Sequence, residues 1–168
     1  HLRLNERRNE LLALAAGRKI VGISGHSKAK TVGQIRRMSL SDIVAAIPED
    51  YLLVNLQYGD VTAEIKDLKK LKGRFVHIVD HVDIFEDVDD FAALVASCDK
   101  VISIDNTTVH VAGALGKECH VLLPFTGEWR WGENGAKSSY WYPSLRLHWQ
   151  DKLFDWSACL KAVARELM

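Results

Sequence analysis

The chain is 168 residues long, 48% hydrophobic and 26% charged, a size and composition suited to one domain with a substantial core. Lys plus Arg and Asp plus Glu balance at 22 each, so no bulk positive field draws the chain to nucleic acid. No apolar run approaches the roughly 20 residues that span a bilayer, and no signal-peptide pattern opens the sequence.

The first predicted element is a helix over residues 3–16, where Leu4, Leu11, Leu12 and Ala15 form an apolar stripe on a charged cylinder. Ile20 to Ser24 reads as the first strand, followed by Gly25 and a polar, basic loop from His26 to Met38. That loop carries Lys28, Lys30, Arg36 and Arg37. Ser39 or Ser41 caps a helix that Pro48 ends. A strand over Tyr51 to Leu56 leads to Gln57, Tyr58, Gly59 and Asp60, then to a helix from Thr62 to Leu71. Phe75 to Val79 is the third strand, and the acidic loop Asp80 to Asp90 precedes a helix over Phe91 to Cys98.

The densest chemistry lies between Lys100 and Pro124. Val101 to Ile104 is short, β-branched and continuous, the pattern of a strand buried on both faces. Asp105, Asn106, Thr107 and Thr108 suit a helix N-terminus, Val109 to Leu115 forms the helix, and Gly116 stops it. Unpaired N–H groups and the positive end of the helix dipole make such a terminus a phosphate site, to which Thr107, Thr108 and His110 add donors. The same residues also serve a helix that is merely capped. Val121 to Leu123 is the next strand.

Beyond Pro124 the pattern changes to a long aromatic loop, Phe125 to Tyr142, holding three of the five tryptophans among several glycines. Leu145 to Trp149 reads as an edge strand, and Trp156 to Met168 as a closing amphipathic helix. Strands and helices thus alternate throughout. The expected fold is α/β, with a doubly wound, Rossmann-like parallel sheet of five to six strands. Within one domain this gives an N-terminal linker helix (residues 1–17), a core over 19–150 and a C-terminal helix over 155–168.

The three cysteines lack CxxC spacing and sit among apolar residues, as reduced thiols of a cytoplasmic protein do. The seven histidines show no metal-ligand spacing, so no metal is expected. GxGxxG, a P-loop and a GxSxG elbow are all absent. A triad of Ser24, Asp105 and His110 has no elbow to expose its serine. Ser24, Lys28, Gln57, Asp60 and the 105–110 cap remain on the carboxyl edge of the sheet, where open α/β sheets bind ligands.

SIDNTTVHVAGALGKECHVLLPF, the Trp-rich loop and WYPSLRL resemble the carboxyl-terminal half of glycosyltransferase family 9-like enzymes, which include heptosyltransferases. The similarity is greatest to the glycosyltransferase domain that follows tetratricopeptide repeats in bacterial proteins. VGIS, VNLQYGD and DVDDFAALVASCDKVIS extend it over about residues 19–150. The resemblance implies one half of a GT-B architecture that binds a nucleotide-sugar donor without metal or other cofactor. It puts Asp105, Asn106, Thr107, Thr108, His110, Ser24 and Lys28 or Lys30 at the donor diphosphate and sugar. Gln57 and Asp60 would stand near the ribose, and Ile84 and Phe85 near the base. Related chains carry Trp-Arg after VGIS, where Gly25 and His26 stand here.

No catalytic residue is assigned within these residues. The acceptor domain and general base of an inverting transfer would lie outside them, in the amino-terminal GT-B domain, with the tetratricopeptide region as a further partner. Two alternatives stay open: a non-catalytic GT-B-like binding or scaffold module, and a sugar-phosphate isomerase or epimerase using Asp105 and His110 as its acid–base pair.

Overall fold

The computed structural model describes residues 2–27 and 33–168. Six strands form one sheet: β1 (Lys19–Ser24), β2 (Tyr51–Asn55), β3 (Val76–His77), β4 (Lys100–Ile104), β5 (Cys119–Leu123) and β6 (Leu145–Trp149). Their order is β3-β2-β1-β4-β5-β6, and every neighbouring pair is parallel. This is the doubly wound order that switches direction between β1 and β4. Parallel strands need crossovers and are covered on both faces, which explains why β2 and β5 are buried along their whole length.

The helices are α1 (Leu2–Ala15), α2 (Gly33–Arg36), α3 (Leu40–Ala45), α4 (Thr62–Lys72), α5 (Val88–Ser97), α6 (Thr107–Ala114) and α7 (Ser157–Leu167). One face of the sheet packs against α1, α5 and α6 through Leu11, Leu94, Phe91 and Val109, with Trp131 of the aromatic loop closing the same core. The other face packs against α3, α4 and α7 through Ile43, Ile65, Leu68 and Val163. The amino-terminal helix, expected as a linker, lies on α5. Leu11 and Ala15 are fully buried there, and Arg7 pairs with Asp90 at 2.9 Å.

Several boundaries differ from those expected. The third strand shrinks to two residues, because this edge of the sheet pairs with β2 only through Val76 and His77, and Phe75 before them is exposed. Helix α5 begins three residues earlier, at Val88, since the Asp87 side chain accepts a bond from Asp90 N and caps it. Strand β5 also starts earlier, at Cys119. The three cysteines are buried and unpaired, and burial pushes the Cys98 and Cys159 thiols up to about 12. Among the described residues no helix is long and apolar enough to cross a membrane.

Candidate functional site

The site is built at the switch point, where β1 and β4 end side by side. Asn106 sits in extended backbone at the cap of α6, and its Oδ1 accepts from Thr108 N at 2.9 Å. Its amide nitrogen donates to Ser24 Oγ at 2.9 Å and to the His26 carbonyl at 3.0 Å. One side chain therefore starts the helix and ties together the ends of two strands. Ser24, expected near the phosphates, is fully buried and accepts this bond. Thr107 is exposed at the first position of α6, and Thr108 is buried behind it.

Thr107 and Thr108 line a cavity of about 250 Å³ whose other walls are Tyr58, Ile84, Phe85, Val88, Phe91 and Val111. A second cavity, of about 390 Å³, runs along the carboxyl ends of β2 and β3 and contains Gln57, Asp60, Thr62 and Asp80. Tyr58, Ile84 and Phe85 belong to both. The expected base, ribose and diphosphate residues Ile84, Phe85, Gln57, Asp60, Thr107 and Thr108 thus line two adjoining hollows. Asp83 orders the aromatic wall by accepting from the backbone N–H groups of Phe85 and Glu86, both at 2.9 Å.

Gln57 and Asp60 differ in what their polar atoms do. Gln57 is buried: Oε1 accepts from Gly25 N at 2.9 Å, and Nε2 lies 2.8 Å from His26 Nδ1. His26 Nε2 is 3.5 Å from Glu64, yet burial, the larger effect, moves the His26 pKa below the ordinary value. Asp60 is exposed and accepts from Thr62 N at 2.9 Å, a bond that holds its carboxyl below the usual range.

Arg36 is a basic residue to which the sequence alone assigns no place in the site. The end of α2 carries it under the switch point, where it is 7% exposed, and its Nη1 lies 3.1 Å from the Asp105 carboxylate, which is 2% exposed. Arg36 also pairs with Glu128, which pairs in turn with Arg130. Arg36 Nε and Asp105 Oδ2 have no hydrogen-bond partner of good geometry, so the Asp105 contact is an ion pair by proximity rather than a directed bond. Asp105 therefore brings a buried cation to the foot of α6. Only its place among four basic loop residues signalled it in the sequence. Lys28 and Lys30 lie outside the described residues.

His110 turns toward the aromatic loop. Its ring stacks on Trp131 with centroids 5.4 Å apart, and Nδ1 lies 3.4 Å from the Tyr142 hydroxyl. Burial there moves its pKa below the ordinary value, against the opposing pull of Asp105. Gly113, one turn on, is required by the same contact, since a Cβ would stand 2.4 Å from the Tyr142 ring. The site thus combines an apolar slot, the amino terminus of α6 and a buried guanidinium paired with Asp105 and Glu128.

No protein-family model matches the chain. Protein FlbA of Caulobacter vibrioides is 36% identical over 116 residues, which are 69% of this chain and 19% of FlbA. The structure of E. coli ADP-heptose lps heptosyltransferase II superposes with a TM-score of 0.63 at 16% identity, over 96% of this chain and 49% of that one. A glycosyl transferase family 9 structure from Veillonella parvula DSM 2008 gives 0.58 at 12% identity, over 86% and 40%. The chain therefore has a glycosyltransferase family 9-like, GT-B-type Rossmann fold, and it spans about half the length of the solved chain that matches at 0.63.

Proposed function

We propose that this chain is the donor-binding domain of a bacterial, cytoplasmic glycosyltransferase that inverts the anomeric centre and needs no metal at the donor. The observation that carries the reading is the pair of adjoining cavities sharing Tyr58, Ile84 and Phe85, which run from Gln57 and Asp60 to the amino end of α6. A nucleotide-sugar matches that sequence of surfaces: a base against Ile84 and Phe85, ribose hydroxyls at Asp60, and a diphosphate at Thr107 and Thr108. The helix terminus stabilises the departing diphosphate. The general base and acceptor site belong to an amino-terminal domain outside these residues, in a protein that also carries tetratricopeptide repeats.

One observation favours the second reading, a non-catalytic module that keeps the fold for binding or scaffolding. Ser24, Gln57, Asn106 and Asp105 all spend polar atoms on partners within the protein: Ser24 and the His26 carbonyl for Asn106, Gly25 N and His26 for Gln57, and Arg36 for Asp105. Calorimetric titration with nucleoside diphosphates and nucleotide-sugars separates the two. Donor binding gives a saturable isotherm that Thr107→Ala weakens about tenfold, the loss of one bond to a charged group. A folded chain and a full-length protein that both bind nothing in the panel would leave the scaffold.

A further inference from the structure

On the face of the sheet covered by α7, away from the cavities at the carboxyl edge, two histidines from neighbouring strands meet. His120 of β5 and His148 of β6 are diagonal neighbours, because Leu122 is the register partner of His148. His120 Nδ1 and His148 Nε2 are 3.1 Å apart, and the rings meet nitrogen to nitrogen, with centroids 5.3 Å apart and planes 23° from parallel. Glu166, in the last turn of α7, brings Oε2 to 3.6 Å from His120 Nδ1. The three donor atoms lie within 4.8 Å of one another, and among the described residues this is the one such His/Cys/Asp/Glu trio.

We propose that His120, His148 and Glu166 form a binding site for one divalent transition-metal ion, with Zn²⁺ the best match to two imidazoles and a carboxylate. Zinc takes such ligands at about 2.0–2.1 Å in tetrahedral array, which separates neighbouring donors by roughly 3.4 Å. The nitrogens are already near that spacing. The ion takes the place of the proton the rings share, and the rings swing slightly so that both lone pairs face it. Both histidines stay neutral, with each remaining proton on the outer ring nitrogen. For His120 that is Nε2, buried without a hydrogen-bond partner and 3.5 Å from Glu118, the carboxylate that orients a metal-bound imidazole.

A cavity of about 410 Å³ lined by His148, Glu166 and Asp151 gives an ion entry and room for a water as fourth ligand. Arg146 is the opposing charge, 3.5 Å from Glu118 and 3.8 Å from Glu166, but it is largely exposed and free to turn to solvent. Lys100, 2.9 Å from Glu118, holds that carboxylate beside His120. The Cys159 thiol is kept protonated by burial and donates to the His148 carbonyl at 3.4 Å, so it is not a ligand. Burial also lowers the pKa of both imidazoles, which keeps them unprotonated for a metal at neutral pH.

Co²⁺ is the optical probe. Titrated into the metal-free chain at pH 7.5, it is expected to give an intense visible spectrum that saturates at one ion per chain and is bleached by Zn²⁺. Glu166→Gln, at a half-exposed position, should weaken Co²⁺ binding by about tenfold or more, and His148→Gln should abolish the spectrum while far-UV circular dichroism stays unchanged. A wild-type chain that gives only the pale spectrum of hydrated Co²⁺ overturns the proposal, as does a spectrum that survives Glu166→Gln at full affinity. Zn²⁺ should also raise the Tm of the wild type and leave that of Glu166→Gln nearly unmoved.

Discussion

At Gly25 an added Cβ would stand 2.5 Å from the Met38 carbonyl oxygen and 3.0 Å from Ile43 Cδ1. The first obstacle is backbone, held in place because Met38 N donates to the Gly25 carbonyl at 2.9 Å. The departure from Trp-Arg at this point in the sequence therefore has a steric meaning: a loop returns over the position and leaves no volume for a side chain. Gly25→Ala is expected to destabilise the fold by about 1–3 kcal/mol, read as a lower urea midpoint at unchanged m-value. The segment that excludes a tryptophan here also carries Arg36, at the end of α2, to its pairing with Asp105 and Glu128. The capping residues at 105–108 are legible in the sequence because caps act locally. Arg36 stands out there only as one basic residue among four, because its partner, Asp105, lies 69 positions away. The same distance effect hid the metal-type trio: His120 and His148 are 28 positions apart and are joined only by strand register.

Helix α6 is eight residues long, too short to hold itself in water. It depends on its first cap and on what that cap grips. Asn106 makes an ordinary N-cap bond to Thr108 N and adds two bonds from its amide, to Ser24 Oγ and the His26 carbonyl. Asn106→Ala should therefore cost more than the roughly 1 kcal/mol of a typical cap, about 2–3 kcal/mol. Asn106→Asp, which keeps the cap acceptor and loses the two donors, should fall between. Chemical denaturation of the three proteins orders them. Element type was legible wherever the apolar period was clear, as in the expected Tyr51–Leu56 strand, which is built as Tyr51–Asn55. The ends that moved were those decided by a contact between elements or by a cap just outside the apolar pattern, as at β3 and α5.

For the whole molecule, the strand order places β1 and β4 at the centre and β3 and β6 at the edges. The alternation of strand and helix in the sequence implied a parallel sheet, and the handedness of crossovers narrows its topology. What the sequence could not supply was which loops meet across the switch point. Native-state hydrogen exchange should follow the order, with amides of β1, β4 and β5 opening only with global unfolding and the two-residue β3 exchanging fastest among the strands. A protected β3 with a labile β4 would contradict this. Helix α1 should be nearly as slow as the α5 it lies on, since Arg3, Arg7 and Arg8 fasten it to Asp87, Asp90 and Asp99.

Trp131 is fully buried with its ring on His110, whereas Trp129 is 79% and Trp141 63% exposed. Indole emission shifts to the blue when water is excluded, and a protonated imidazole in contact quenches it. Trp149 and Trp156 are half-buried, so the bluest edge of the fluorescence spectrum belongs most to Trp131, and its brightness reports the charge on His110. Iodide silences the exposed indoles and leaves that signal standing. The fold thus carries its own optical gauge, set against the same helix whose first turn lines the candidate site.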